Sequence, residues 1–293
     1  MTGLVAGGPA IACIGGGHGL SATLAAARTI AGTLTAIVSV ADDGGSSGRL
    51  RDDLGILPPG DLRRCLSALA DPDSVLGGAL EHRFDQGELK EHALGNLLVA
   101  GLIDSGLPVE EALAEVARMV GAVGTVLPAA SVPVTLSGRG NQSGFVEGQV
   151  QVQEAHGVDY VEIRPDDPPT PAGVGAAIGA ADLVTLGPGS LFTSVLAAAI
   201  VPGVARPLAA TAATRVLILN LGVQAGETGH LTADDHVRLA RAHDVPFDVV
   251  LADPRFAPTP ADDVVVRPVG ADHSQVHDPP RLAAALTDLL APR

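Results

Sequence analysis

Apolar positions in this chain gather into short unbroken runs, separated by stretches with helical spacing. Residues 10–14 (AIACI) and 34–40 (LTAIVSV) are such runs, and SATLAAARTIAG between them reads as a helix. A strand that is apolar throughout is buried on both faces, as in a parallel sheet covered by helices. The same character returns at 183–187 (LVTLG), 215–221 (RVLILNL) and 247–252 (FDVVLA), with Ala-rich helical stretches at 190–200 and 232–243. This alternation predicts an α/β fold with a doubly wound, mostly parallel sheet.

The middle third breaks the alternation. From about 61 to 120 the spacing is helical, through DLRRCLSALA, SVLGGALEHRF, HALGNLLVAGLIDSG and PVEEALAEVARMV, with no strong strand between them. A small β-rich insert follows at about 130–163, with VPVTLSG, FVEGQVQVQEA and VDYVEI as strands and GRGNQSG as the turn between the first two. RPDDPPTP at 164–171 is a connector, so residues 1–293 are expected to form one domain carrying two inserts.

Charge narrows the partners. With 33 acidic against 18 basic residues the net charge is −15, which disfavours nucleic acid and anionic lipid as partners. Lys90 is the only lysine, so a bound phosphate must be met by backbone N–H groups, arginine or a metal. Trp is absent and Tyr160 and five Phe are the only aromatics, which leaves few stacking platforms. Cys13 and Cys65 form no CxxC pattern and sit in apolar contexts as core thiols. The first basic residue is Arg28 and no run of about 18 apolar residues exists, so a cytoplasmic chain without a membrane span is expected.

Candidate chemistry clusters after the strands. The first strand runs into GGGHGLSATL, placing Gly15, Gly16, Gly17, His18 and Gly19 where a helix begins and its free N–H groups can meet a phosphate. Strict GxGxxG is absent, because Leu20 holds the third position. After the second strand come Asp42 and Asp43 and the open turn GGSSG, with Gly45, Ser46 and Ser47. The pair has three readings: a ribose-hydroxyl contact, a metal or phosphoacceptor site, or carboxylates capping their own turn. A second glycine-rich junction, TLGPGSLFTSVLAAA, offers Gly187, Pro188, Gly189 and Ser190 as an N-terminal turn, and both junctions are expected to share one crevice.

Further candidates are more scattered. Arg49, Arg51, Arg63 and Arg64 are candidates for a diphosphate clamp, or else an exposed paired surface. Asn96 is an unusual choice inside a helix. Asn220 follows a strand, and Glu227, Thr228 and His230 form a polar loop suited to recognising a sugar or base. His82 and His92, ten residues apart without a second pair, are a poor metal signal.

In order along the chain, GGGHGL, VADDGGSSGRLRDDLGILPPGDLRRCLSAL, HALGNLLVAGL, VLPAASVPV, LGPGSLFTSV and NLGVQAGETGHLTADDH resemble the YvcK, or gluconeogenesis factor, family. That family lies within the CofD-like superfamily of 2-phospho-L-lactate transferases, and the resemblance covers about residues 10–260. It implies a Rossmann-like fold, a homodimer and a pocket for a nucleotide ligand such as UDP-N-acetylglucosamine. It also implies a role in growth on gluconeogenic carbon sources and in cell shape and wall synthesis, with a cell-wall or metabolic protein as partner. The motifs carry Gly15, Gly16, His18, Gly19, Asp42, Asp43, Ser46, Asn96 and residues 187–190 into the pocket. Position 18 departs from the family's Thr, exchanging a hydroxyl contact for an imidazole.

The expectation is therefore a nucleotide-sugar-binding regulator, more a binding protein than an enzyme, with no required cofactor beyond its ligand. One alternative is a CofD-like phospholactyl or phosphoryl transferase in which Asp42 and Asp43 hold magnesium. Another is an NAD-binding oxidoreductase, for which no hydride-site residue is evident.

Overall fold

The computed structural model describes residues 3–140, 143–224 and 226–290. The strands in chain order are β1 (Ala10–Gly15), β2 (Thr33–Val38), β3 (Thr125–Pro128), β4 (Thr135–Gly140), β5 (Gly144–Glu147), β6 (Tyr160–Arg164), β7 (Leu183–Leu186), β8 (Thr214–Ile218), β9 (Val249–Ala252) and β10 (Val264–Val266). Seven of them form a parallel sheet in the order β10-β9-β8-β7-β1-β2-β3. The other three form a separate antiparallel sheet, β5-β4-β6.

The order explains where a ligand can enter. From β1 the chain winds outward through β2 to β3, then returns to β7 on the other side of β1 and winds away to β10. Loops leaving β1 and β7 therefore diverge to opposite sides, and the crevice between them lies at the carboxyl ends of the strands. Ile11, Cys13, Ile14, Leu34, Ile37, Val184 and Leu186 are all buried, as expected for strands covered on both faces. Cys13 and Cys65 are buried and free, and burial pushes the Cys13 thiol up to about 12, so both are core thiols.

The doubly wound sheet, the helical region and the small β-rich insert stand as expected, with local differences. β3 and β10 are additional short strands. SVLGGALEHRF is helical only over Val75–Ala79, after which turns carry the chain to a single bridge between Arg83 and Ala93. GGSSG is not an open turn but the start of the helix Gly45–Leu54, so helix begins well before residue 61. Gly and Ser are weak helix formers, and here tertiary contacts hold them. Arg51 of that helix donates to Val134 O and Thr135 Oγ1, and Arg49 donates to Lys90 O.

FVEGQVQVQEA also differs: only Gly144–Glu147 is strand, and Gln149–Glu154 is a short helix. Its cap comes from far away, because Asp43 accepts the N–H groups of Gln149 and Val150 at 2.8 and 2.9 Å. The turn expected over GRGNQSG includes residues 141 and 142, which lie outside the described residues, as does Ala225 before Gly226. Among the described residues no single helix is long and apolar enough to cross a membrane.

Candidate functional site

A cleft of about 630 Å³ opens beyond the carboxyl ends of β1, β2 and β7. Three helices begin on its wall, Gly17–Ala27, Gly45–Leu54 and Gly60–Leu69, and none has a side-chain cap. A helix leaves its first N–H groups without intrahelical partners, and its dipole puts partial positive charge there. The π-helical turn Leu191–Leu196 begins on the same wall with Ser190, Thr193 and Ser194. Several helix starts thus converge where an anion would sit.

The two glycine-rich junctions do share this crevice, and they touch. A Cβ on Gly19 would lie 2.2 Å from Pro188 O, so only glycine permits that approach. Thr23 Oγ1 donates to Gly187 O at 3.1 Å. Asn220 holds Gly189 at both ends, accepting its N–H at 3.0 Å and donating to its carbonyl at 2.9 Å. Beyond this contact lies a smaller cavity of about 200 Å³ lined by Gly19, Pro188, Gly189 and Asn220, with His18 shared between the two spaces. Desolvation and the Arg64 charge push the His18 imidazole below its ordinary value.

The adjacent aspartates separate in role. Asp42 lines the cleft, where it accepts Gly44 N–H at 3.0 Å; burial and the neighbouring Asp61 carboxylate push its pKa up. Asp43 spends its two oxygens capping Gln149–Glu154, which takes it out of the expected metal-holding pair. The second carboxylate on the cleft wall is Asp61, paired with Arg64 at 2.7 Å.

Of the four arginines considered for a diphosphate clamp, only Arg64 lines the cleft. Arg49 and Arg51 are spent on Lys90 O and on Val134 O and Thr135, while Arg63 is buried and faces Glu81 at 3.0 Å. Arg83, from the loop between helices, supplies a second guanidinium to the wall.

Glu227 and Thr228 do not present themselves to a sugar, because both are buried. Glu227 accepts the N–H groups of Phe192 and Thr193 at 2.5 and 2.9 Å and so caps the π-helical turn. Burial pushes its pKa up, against the hydrogen bonds that lower it. Asn96 is buried beneath the cleft, where it donates to Ser46 Oγ at 3.0 Å, and His92 Nδ1 lies 3.0 Å from the same oxygen.

Of the residues singled out from the sequence, Gly17, His18, Asp42, Gly45, Ser46, Ser47 and Ser190 line the cleft. Asp61, Arg83, Glu91, Gln149, Val150, Gln153 and Ser194 join them without having been singled out. PPGDLRR carries a signal for Asp61, since it opens the second helix after β2 and puts an acid in its first turn. The glutamines carried no such signal, since their place depends on the remote Asp43 cap.

Comparison with known proteins decides the family. The family model described as 2-phospho-L-lactate transferase CofD matches residues 11–279. The chain belongs to the CofD family. A Mycobacterium tuberculosis relative is 41% identical over 311 residues, 96% of this chain and 90% of its own length. The gluconeogenesis factor of Bacillus subtilis is 40% identical over 238 residues, covering 80% of this chain and 75% of that protein. Such relatives place this CofD-family chain in the gluconeogenesis factor branch. The crystal structure of a UPF0052 family member from Bacillus halodurans superposes with a TM-score of 0.88 at 31% identity, over 94% of this chain and 98% of that one. The CofD-family fold described above is therefore shared with an experimentally solved relative.

Proposed function

We propose that the cleft binds a nucleoside diphosphate sugar, such as UDP-N-acetylglucosamine, and that the protein acts as a regulator of growth and cell morphogenesis on gluconeogenic carbon sources. One observation carries the ligand class: three uncapped helix starts and two arginines, Arg64 and Arg83, face one cleft in a chain of net charge −15. Attraction that the whole chain does not supply is concentrated locally, as a diphosphate requires. A volume of about 630 Å³ with a 200 Å³ annexe suits a ligand with two ends. The gluconeogenic role is supported by the name of the Bacillus subtilis relative. Calorimetric titration with UDP-N-acetylglucosamine tests the proposal, and no heat of binding at millimolar ligand would sink it.

A second reading is favoured by Asp42 together with the CofD family model: magnesium-dependent transfer from an activated donor. Among the described residues no group of three or more His, Cys, Asp or Glu could hold a metal ion. Magnesium, however, commonly takes one or two carboxylates and completes its shell with phosphates and water. Asp42 and Asp61 fit that demand, since the Asp61 carboxylate raises the cost of ionising Asp42 and a nearby cation would relieve it. There the ion would neutralise charge on the transferring group. Metal-dependent consumption of a labelled donor tests this reading, and inertness towards donors and acceptors alike counts against it.

A further inference from the structure

We propose that Ser46 is a nucleophile towards the diphosphate of the bound nucleotide sugar, with His92 as its base; the inference rests on the ligand class proposed above. Ser46 lies on the cleft wall in the first turn of Gly45–Leu54, and its hydroxyl is held from two sides. Asn96 Nδ2 donates to Ser46 Oγ at 3.0 Å, and His92 Nδ1 lies 3.0 Å from the same oxygen. With Asn96 donating, the hydroxyl's own proton goes to Nδ1 in the Nε2-protonated tautomer of His92. A serine that merely bound phosphate would offer its proton to the anion. In that tautomer the proton is directed inward, and one lone pair is left uncommitted.

The surroundings suit that role. Desolvation and the Arg49 charge hold the His92 imidazole below its ordinary value, so it is neutral and can accept a proton; Arg83 adds to this and Asp53 opposes it. Asp53 then supports the imidazolium once it forms. The start of Gly45–Leu54 places partial positive charge beside Oγ, and Arg64 and Arg83 line the same cleft, where they would meet phosphoryl oxygens.

The step balances without a further reactant. Ser46 Oγ attacks the β-phosphorus, and a new O–P bond forms as the bond from that phosphorus to the bridging oxygen breaks. The electron pair departs with the nucleoside monophosphate, and the hydroxyl proton passes to His92 Nδ1. Ser46 is left carrying the sugar phosphate as a phosphodiester, ready for an acceptor hydroxyl or water.

The test incubates the chain with UDP-N-acetylglucosamine and magnesium, following binding by calorimetry, UMP by chromatography and adducts by intact-mass and peptide-mapping spectrometry. Expected are binding, release of UMP and a mass gain of N-acetylglucosamine phosphate on the peptide that holds Ser46. Ser46→Ala loses the adduct, and His92→Gln slows adduct formation about 100-fold. Thermal melting checks that both variants fold, and the wild-type peptide map decides the matter without either of them. The wild-type rate falls in acid as the imidazole protonates. Binding with neither UMP release nor an adduct, or an adduct mapped elsewhere, overturns the nucleophile and leaves the ligand class standing. Absence of binding removes the ligand class and this inference with it.

Discussion

Aspartates follow both β2 and β9 at the same edge of the sheet, yet Asp42 and Asp253 are surrounded in opposite ways. Asp253 accepts five hydrogen bonds, from the N–H groups of Arg255, Val269 and Gly270 and from Arg255 Nε and Nη2, all between 2.8 and 3.3 Å. Asp42 accepts a single backbone N–H, that of Gly44, and faces the cleft. Burial raises both carboxyls. At Asp253 the hydrogen bonds from Arg255 and Gly270 outweigh it and hold the pKa at about 2, whereas at Asp42 burial wins with help from Asp61. What separates a structural clamp from a carboxylate left facing a cleft is the number of donors the fold supplies, not the residue type.

The contrast breaks most visibly when each flank is mutated. Asp253→Ala strips the donors of three loop N–H groups of their acceptor and should cost about 3 kcal/mol or more in urea unfolding. Arg64→Ala on the cleft side should instead weaken UDP-N-acetylglucosamine binding by about 10- to 100-fold in calorimetry. Its effect on stability should stay below about 1 kcal/mol, because its ion pair with Asp61 is partly solvated.

The pH dependence sharpens the same comparison. Asp253 has a folded pKa of about 2 against an ordinary 3.8, so its contribution is fully present above 3.8 and is lost as pH falls through 2. That limb amounts to about 2 kcal/mol, and Asp253→Asn should remove it from the acid side of the stability profile. Asp42, raised in the fold, has the opposite sign: its contribution is present below 3.8 and is lost as pH rises through the raised pKa. Gly45→Ala should cost about 1 kcal/mol in the same assay, since its φ is +49° although open space surrounds it. Asp42→Asn should have the smallest effect, leaving melting unchanged or slightly raised, because it removes a carboxylate that the fold charges only at a cost.

Much of the fold was legible because two-sided burial writes itself locally. The runs at 10–14 and 34–40 became β1 and β2, and the glycine turns after β1 and β7 met as their place in a doubly wound sheet requires. What stayed hidden depends on partners far along the chain. QVQVQE alternates like a strand, but Asp43 caps it as a helix from more than a hundred positions away. Glu227 reads as a ligand-facing loop acid, yet Phe192 and Thr193 claim its oxygens. Arg49, Arg51 and Arg63 look like a basic cluster beside Arg64, and only their separate acceptors show that one of the four meets the cleft.

The pairing of β1 with β7 joins Ile11 to Leu183 across the whole of the helical and β-rich inserts. Contacts that close so long a stretch of chain are slow to form, and during synthesis β1 must wait for β7 to be made before the two glycine turns can meet. A ligand gripped by both turns would therefore report completed folding: a nascent chain lacking β7 has half a crevice and nothing with which to close it.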